Sequence, residues 1–346
     1  MPDISLFQPT VLLGLVEKFT APESLTMLSR IDKTPHPFPT ANWEVIRGSR
    51  AISRPNVPNS EAHIVPRLGR ESLSASFVYL REKKVFEPTT LHWIKTPGTV
   101  AQINAERAVT REINDLNTRF DNFAEYLIWQ MFTGQIAVPE NGDAPAVNVD
   151  YKLLASHKPN AGTNWATATP AQIIADIRAW KTLVSKDGRV EATEAYLSSK
   201  TLNYIFDAFA TVGATNFPAA TLLSDRMKDQ YYREGTLPNF MGINWNTQDA
   251  VFDSAGAAYT DSPTNPGDEQ KFLADNRIVF GNLSANRPFE MIIGPTADDE
   301  APEGYTGKFA KTWKDKDPSA RQVLLEWNFL PVLTRPEQVV YASVGA

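Results

Sequence analysis

Cysteine is absent from the 346 residues of this chain. That removes disulfides, thiolate metal sites and cysteine nucleophiles, and it fits folding in a reducing compartment. Long apolar runs are missing too. The best, Val11 to Val16 and Tyr126 to Phe132, fall far short of the ~20 residues that span a bilayer. The start, Met1-Pro2-Asp3-Ile4, has no basic segment of the kind that opens a signal peptide. No membrane partner is expected. Histidine is scarce: His36, His63, His92 and His157 lie far apart, without metal-ligand spacing. Surface or packing roles are expected for them.

Catalytic signatures are missing as well. Neither G-x-S-x-G nor G-x-G-x-x-G occurs. Gly304-Tyr305-Thr306-Gly307-Lys308 has the look of a phosphate loop, but Pro302 stands at its first glycine position and Phe309 replaces Ser/Thr. The loop is therefore rejected. The densest carboxylate cluster is Asp298, Asp299, Glu300 and Glu303. Such a cluster can supply an acid and a base or hold a divalent cation. With Pro295, Pro302 and Gly304 around it, a solvated loop is the expected reading. Lys308, Lys311, Lys314 and Lys316 follow and could pair with that loop or with a neighbour. No catalytic residue, metal or cofactor is expected, so the chain reads as a non-enzyme.

What is present is ordered composition: 42% hydrophobic and 21% charged residues, enough for two medium domains or one elaborated one. The net charge of -6 argues against a surface that binds nucleic acid throughout. The most secure element is a helix from about Thr99 to Thr133. Ile113, Leu116, Phe120, Phe123, Leu127 and Met131 recur at spacings of three and four, which puts them on one face. Thr99 and Gln102 form a capping box, and Gly134 is a natural end. At 1.5 Å per residue the helix is roughly 50 Å long.

Before it lies an arm. Residues 1–42 end in Thr34-Pro35-His36-Pro37-Phe38-Pro39, whose alternate prolines favour an extended path. They read as an N-terminal arm, with a short helix near Leu12 to Phe19, that packs on something else. Residues 43–95 hold β-like stretches at Trp43 to Ile46, His63 to Val65 and Leu73 to Phe86, around a turn-rich tip from Ser53 to Ser60. Together they read as a long two-stranded arm lying on a neighbouring subunit. From Arg47 to Lys84, the basic residues Arg47, Arg50, Arg54, Arg67, Arg70, Arg81, Lys83 and Lys84 stand against only Glu61, Glu71 and Glu82. A solvated hairpin is one reading; the other is an arm that docks on an acidic neighbour, through Arg47, Arg50, Arg54, Arg67, Arg70, Lys83 and Lys84.

Past a turn-rich stretch with a strand near Val147 to Leu154, a second, α+β unit opens at Thr169-Pro170-Ala171-Gln172, again a helix cap. Helices are expected from that cap to Asp187-Gly188, with Ile173, Ile174, Ile177, Trp180 and Val184 inside, and over Ser199 to Ala210 and Ala219 to Arg233. Strands are expected at Ala195 to Leu197, Phe240 to Trp245, Val251-Phe252, Arg277 to Phe280 and Phe289 to Ile293. Gln322 to Leu330 and Gln338 to Val344 read as terminal strands that return to the helix domain.

This order resembles the major capsid proteins of tailed phages, the Hong Kong 97-type fold, and within it the lambda-like major capsid protein E family. The resemblance rests on Thr110 to Phe132 leading into Thr133-Gly134-Gln135-Ile136, the turn Pro139-Glu140-Asn141-Gly142 and Val147-Asn148-Val149-Asp150. It rests also on Phe272 to Asn282 and on Leu330 to Val340. The resemblance implies an α+β fold with an N-arm (1–42), an E-loop (43–95) and a peripheral domain with its spine helix (96–169). An axial domain (170–319) and terminal strands (320–346) complete it.

It also implies an icosahedral shell enclosing double-stranded DNA, assembled in a host bacterial cytoplasm and carried in the virion. The implied partners are copies of the chain as hexamers and pentamers, a separate scaffolding protein, a portal, in some cases a decoration protein, and packaged DNA held without sequence-specific contacts. Some relatives join subunits through a Lys-Asn bond. Lys83 or Lys84 could donate, but no acceptor or assisting carboxylate is marked, so no bond between subunits is expected. The alternatives are an encapsulin-like shell and, from a different class, a carboxylate-dependent hydrolase in which Asp298 and Glu300 converge with a second acid.

Overall fold

The computed structural model describes residues 9–46, 51–56, 58, 61–62, 64–65, 70–87, 100–140, 146–213, 225, 228–230, 232–233, 239–253, 269–283, 288–316 and 319–345. Helix α1 (Pro9–Val16) and strands β1 (Asp32–Pro35), β2 (Thr40–Ile46), β3 (Arg70–Ser76) and β4 (Val78–Phe86) precede the long helix α2 (Val100–Phe132). The expected stripe explains how α2 packs. Ile113, Leu116, Phe120, Leu127 and Met131 are buried, and Phe123 is half-buried beside them. Thr99, half of the expected cap, lies outside the described residues.

Gly134 closes α2 with φ +89°, a left-handed conformation that glycine adopts without a Cβ clash. A Cβ there would stand 2.8 Å from Leu153 Cβ. Gly134→Ala should therefore cost about 1–2 kcal/mol in urea unfolding of the subunit. An unchanged midpoint would contradict that.

Beyond α2 come β5 (Gln135–Val138), paired with β6 (Val147–Asp150), then α3 (Pro170–Gly188), β7 (Glu194–Leu197) and α4 (Ser199–Gly213). The Thr169 N–H donates to Gln172 Oε1 at 2.8 Å, and Pro170 occupies the first turn of α3. This is the cap that the sequence marks. The strands β8 (Asn244–Thr247), β9 (Val251–Asp253), β10 (Glu269–Lys271), β11 (Arg277–Gly281), β12 (Phe289–Ile293), β13 (Phe309–Lys316), β14 (Ser319–Leu333) and β15 (Val339–Ser343) follow. Most of the helix expected from Ala219 to Arg233 lies outside the described residues.

Two sheets organise these elements. In the first, β14 is central: β13 and β4 flank its N-terminal part, β12 pairs with its C-terminal part, and β1 adds in parallel to β12. Helix α2 packs on this sheet, and α1 lies against β13. The second sheet runs β15-β11-β7-β8. Successive strand residues point to opposite faces, so this sheet divides two cores. Tyr196, Val279 and Val339 belong to the α2 core. Ala195, Leu197, Ile278, Phe280, Val340, Ala342 and Val344 belong to a core closed by α3 and α4.

Several expectations change. The described part of the stretch before residue 42 packs on its own chain: Leu12, Val16, Leu25, Met27, Leu28 and Ile31 are buried in the α2 core. The arm is shorter than 43–95. Strands β2 and β3 form its ladder, from Thr40↔Ser76 to Ile46↔Arg70, but β4 turns away and pairs with β14 along nine residues. Hydrogen bonds to a long central strand outweigh those a lone hairpin could offer. Ile64 and Val65 are described but lie in no strand, and His63 is outside the described residues.

Residues 289–316, expected in the second unit, supply β12 and β13 to the first sheet. Of the terminal strands, β14 joins the α2 side as expected. β15 enters the second sheet and touches both cores, because its alternate residues face both ways.

Candidate functional site

The expected contact residues scatter. Arg47, Arg50 and Arg67 lie outside the described residues. Arg70 Nη1 pairs with Glu44 Oε2 at 2.9 Å, across the β2–β3 ladder. Lys84 Nζ reaches Glu112 and Asp115 of α2, each at 2.6 Å. Burial works against the Lys84 charge, but Asp115 and Glu112 outweigh it and hold the amine above its ordinary range. Lys83 lies over the Trp313 ring at 5.9 Å. Arg70, Lys83 and Lys84 thus meet partners inside their own chain.

Arg54 remains exposed at the arm tip. Beside it in sequence, Ile52 is 91%, Ile64 90% and Val65 75% exposed. These are among the most exposed large apolar side chains of the described residues. Sequence reading weighed the charge of the arm and passed over these residues.

The acidic loop does not form an open acid–base site. Asp298 is buried against Lys311, with which it forms an ion pair, and Arg81 Nη2 lies 3.9 Å away. Arg81 Nε pairs with Glu326 at 2.8 Å. Both carboxylate side chains are almost closed to water, at 3% and 1% exposure.

Burial pushes Asp298 up, yet the hydrogen bonds from Lys311 and the Glu300 N–H, with the Lys311 and Arg81 charges, bring it below its ordinary value. Glu326 is pushed up, chiefly by burial, with the Asp298 charge adding to it. Burial also raises the Tyr79 phenol to about 12. A split carboxylate pair of this kind can do acid–base chemistry in an accessible cleft. Here it is an internal clasp linking β4, β14, β13 and the loop before β13. Glu300, Asp299 and Glu303 are exposed, so Glu300 does not converge with Asp298. The Lys run that follows belongs to β13, and Lys311 is its inward member.

Helix α2 also carries polar residues at four-residue spacing inside its buried face: Asn117, Asp121 and Glu125. Glu125 is fully buried and accepts hydrogen bonds from the N–H groups of Met27 (3.1 Å) and Leu28 (2.7 Å) and from Trp129 Nε1 (2.8 Å). Burial raises its pKa and these donors pull it back, leaving it above the ordinary value. This clamp holds the N-terminal stretch against the helix.

Asn117 and Asp121 receive Lys308, from the rejected phosphate-loop stretch. Sequence reading missed this ridge, although its i, i+4, i+8 spacing beside the apolar stripe was visible. His157 is a satisfied core residue, with Nδ1 2.8 Å from Val339 O and Nε2 3.2 Å from Asp187. Among the described residues no group of three His, Asp or Glu is placed to hold a metal. Among them, too, no helix is long and apolar enough to cross a membrane.

The chain is similar to known capsid proteins. The family profile described as phage major capsid protein E matches residues 17–344. Among curated proteins no match is found. A solved structure assigned as the capsid protein of a prophage of E. coli CFT073 superposes with TM-score 0.64 at 15% identity, covering 98% of this chain and 99% of that one. A phage-related protein from Bordetella bronchiseptica RB50 gives TM-score 0.56 at 12% identity, covering 98% and 97%. At these identities the likeness is one of fold.

Proposed function

The chain belongs to the phage major capsid protein E family, and from that membership we propose how its copies meet to build a shell. It is a structural protein of the capsid and not an enzyme. The arm formed by β2, β3 and the tip between them is the E-loop, which reaches over the adjacent subunit. Helix α2 is the spine of the peripheral domain. Helices α3 and α4, with the second sheet, form the axial domain, which meets its copies around five- and six-fold axes. Repeated weak contacts, closed by symmetry, give a strong icosahedral container.

The observation that carries this reading is the exposed tip, where Ile52, Ile64 and Val65 stand open beside Arg54. Exposed apolar side chains near a charged one suit a protein–protein contact, and the charge would set register in a salt-sensitive way. The shell encloses double-stranded DNA, and the acidic balance suits a wall that does not grip it. A separate scaffolding protein, a portal and, in some shells, a decoration protein complete the set of partners, with assembly in the host bacterial cytoplasm. Membership in a phage capsid family favours this reading over an encapsulin-like shell.

Reversing Arg54, Arg67 and Arg70 to Glu should block shell formation while the subunit still folds. Electron microscopy of the variant, alongside circular dichroism, reads both. Normal shells from the triple variant would defeat the charge part of the proposal. Serine at Ile52, Ile64 and Val65 tests the apolar part in the same assay. Wild-type protein, expressed alone and with a neighbouring scaffold gene, should give closed shells in at least one sample. A uniform monomer in both would defeat the whole reading.

A further inference from the structure

The Lys308 amine sits in an arrangement that an ordinary ion pair does not need. Its Nζ lies 2.6 Å from Asn117 Oδ1 and 2.5 Å from Asp121 Oδ1. The other oxygen of the same carboxylate, Asp121 Oδ2, accepts a hydrogen bond from Asn117 Nδ2 at 3.0 Å. One carboxylate thus touches both an amine and the amide nitrogen one bond from the carbon that amine could attack. Asn117 is 2% and Asp121 3% exposed, and the amine lies 4.7 Å from the centre of the Trp327 ring. Water is largely kept away, with the Lys308 side chain 16% exposed, and the amine is held beside the oxygen of the amide it would attack, a placement that raises effective concentration.

We infer that Lys308 and Asn117 join in an amide bond within one subunit, with Asp121 carrying the protons. Asp121 Oδ1 takes a proton from the ammonium, leaving a neutral amine. The Nζ lone pair adds to Asn117 Cγ. The Asp121 carboxyl turns about its Cβ–Cγ bond and passes that same proton to Nδ2, the Cγ–Nδ2 bond breaks and ammonia leaves. Nζ gives its surplus proton back to Asp121, which then releases it to solvent. Neither oxidant nor second substrate is required, and the balance is amine plus primary amide to secondary amide plus ammonia.

The surroundings favour the neutral amine that this step needs. Burial pulls the Lys308 amine below its ordinary range, the Asp121 charge opposes that, and nearby Lys33 adds to the lowering. The bond would tie α2 to the segment entering β13, across 191 residues of chain. It joins parts of one subunit, so subunits stay separate on a denaturing gel. The inference does not depend on how subunits meet.

Intact-mass spectrometry of the full chain, from assembled shells and from free subunits, tests it without any variant. The expected mass is lower than the sequence mass by one ammonia. Digestion should give a branched peptide holding both Lys308 and Asn117. Asp121→Ala and Lys308→Arg should each restore the full sequence mass. The full sequence mass in both wild-type preparations after long incubation would overturn the inference. So would an ammonia loss that maps elsewhere, such as a succinimide at another asparagine.

Discussion

Glu125→Ala is expected to be among the most damaging single substitutions in the subunit, costing at least about 3 kcal/mol. The wild-type carboxylate is fully buried and accepts from Met27 N, Leu28 N and Trp129 Nε1. Alanine leaves all of these donors in a site closed to water. Each orphaned donor costs about 1–3 kcal/mol, and the space left by the side chain adds a cavity term.

The damage should be local before it is global. Amide exchange at Met27 and Leu28 should speed up first, because their N–H groups lose their acceptor while the α2 core remains. Urea unfolding with exchange mapping measures both effects. Unchanged protection at Met27 and Leu28 would show that apolar burial of Leu25, Met27 and Leu28 holds this stretch without the clamp.

Lys311→Met should destabilise the subunit by about 3 kcal/mol at neutral pH, since it leaves the buried Asp298 charge with the Glu300 N–H and the more distant Arg81. The pH dependence follows from the direction of the Asp298 shift. Its carboxyl is held below the ordinary value in the folded protein. The stability it contributes is therefore complete above the unfolded carboxylate value and is lost as pH falls through the folded one.

In the variant Asp298 takes up a proton more readily. The deficit against wild type should thus narrow on acidification to about pH 3. Paired urea titrations at the two pH values measure it. A deficit of equal size at both would mean that Lys311 contributes by packing its stem and not by neutralising Asp298.

Much of the fold was legible locally. The α2 stripe, the Thr169 cap and Gly134 depend on residues within a few positions of each other, and so do the apolar runs of β14 and β15. Strand partners were less legible. β4 was assigned to the arm because it follows β3 directly in sequence, yet Arg321 to Phe329 proved the better partner. β13 was hidden by its lysines: Lys311, Lys314 and Lys316 were read only as partners for the acidic loop or a neighbour, although an edge strand tolerates them. The basic arm residues showed their charge but not their partners, and Lys84 was spent on Glu112 and Asp115.

The sequence by itself determined the order of elements, the long helix, the lack of catalytic motifs and the family. Periodicity and capping are short-range, and family likeness is carried by residues in order. Tertiary structure decided which polar groups are buried together: Glu125 with Met27 and Leu28, Asp298 with Lys311 and Arg81, and Lys308 with Asn117 and Asp121. The reason is physical. A buried charge must find a partner or a hydrogen bond to remain inside. That partner may be any residue that the packing brings near, at any distance along the chain.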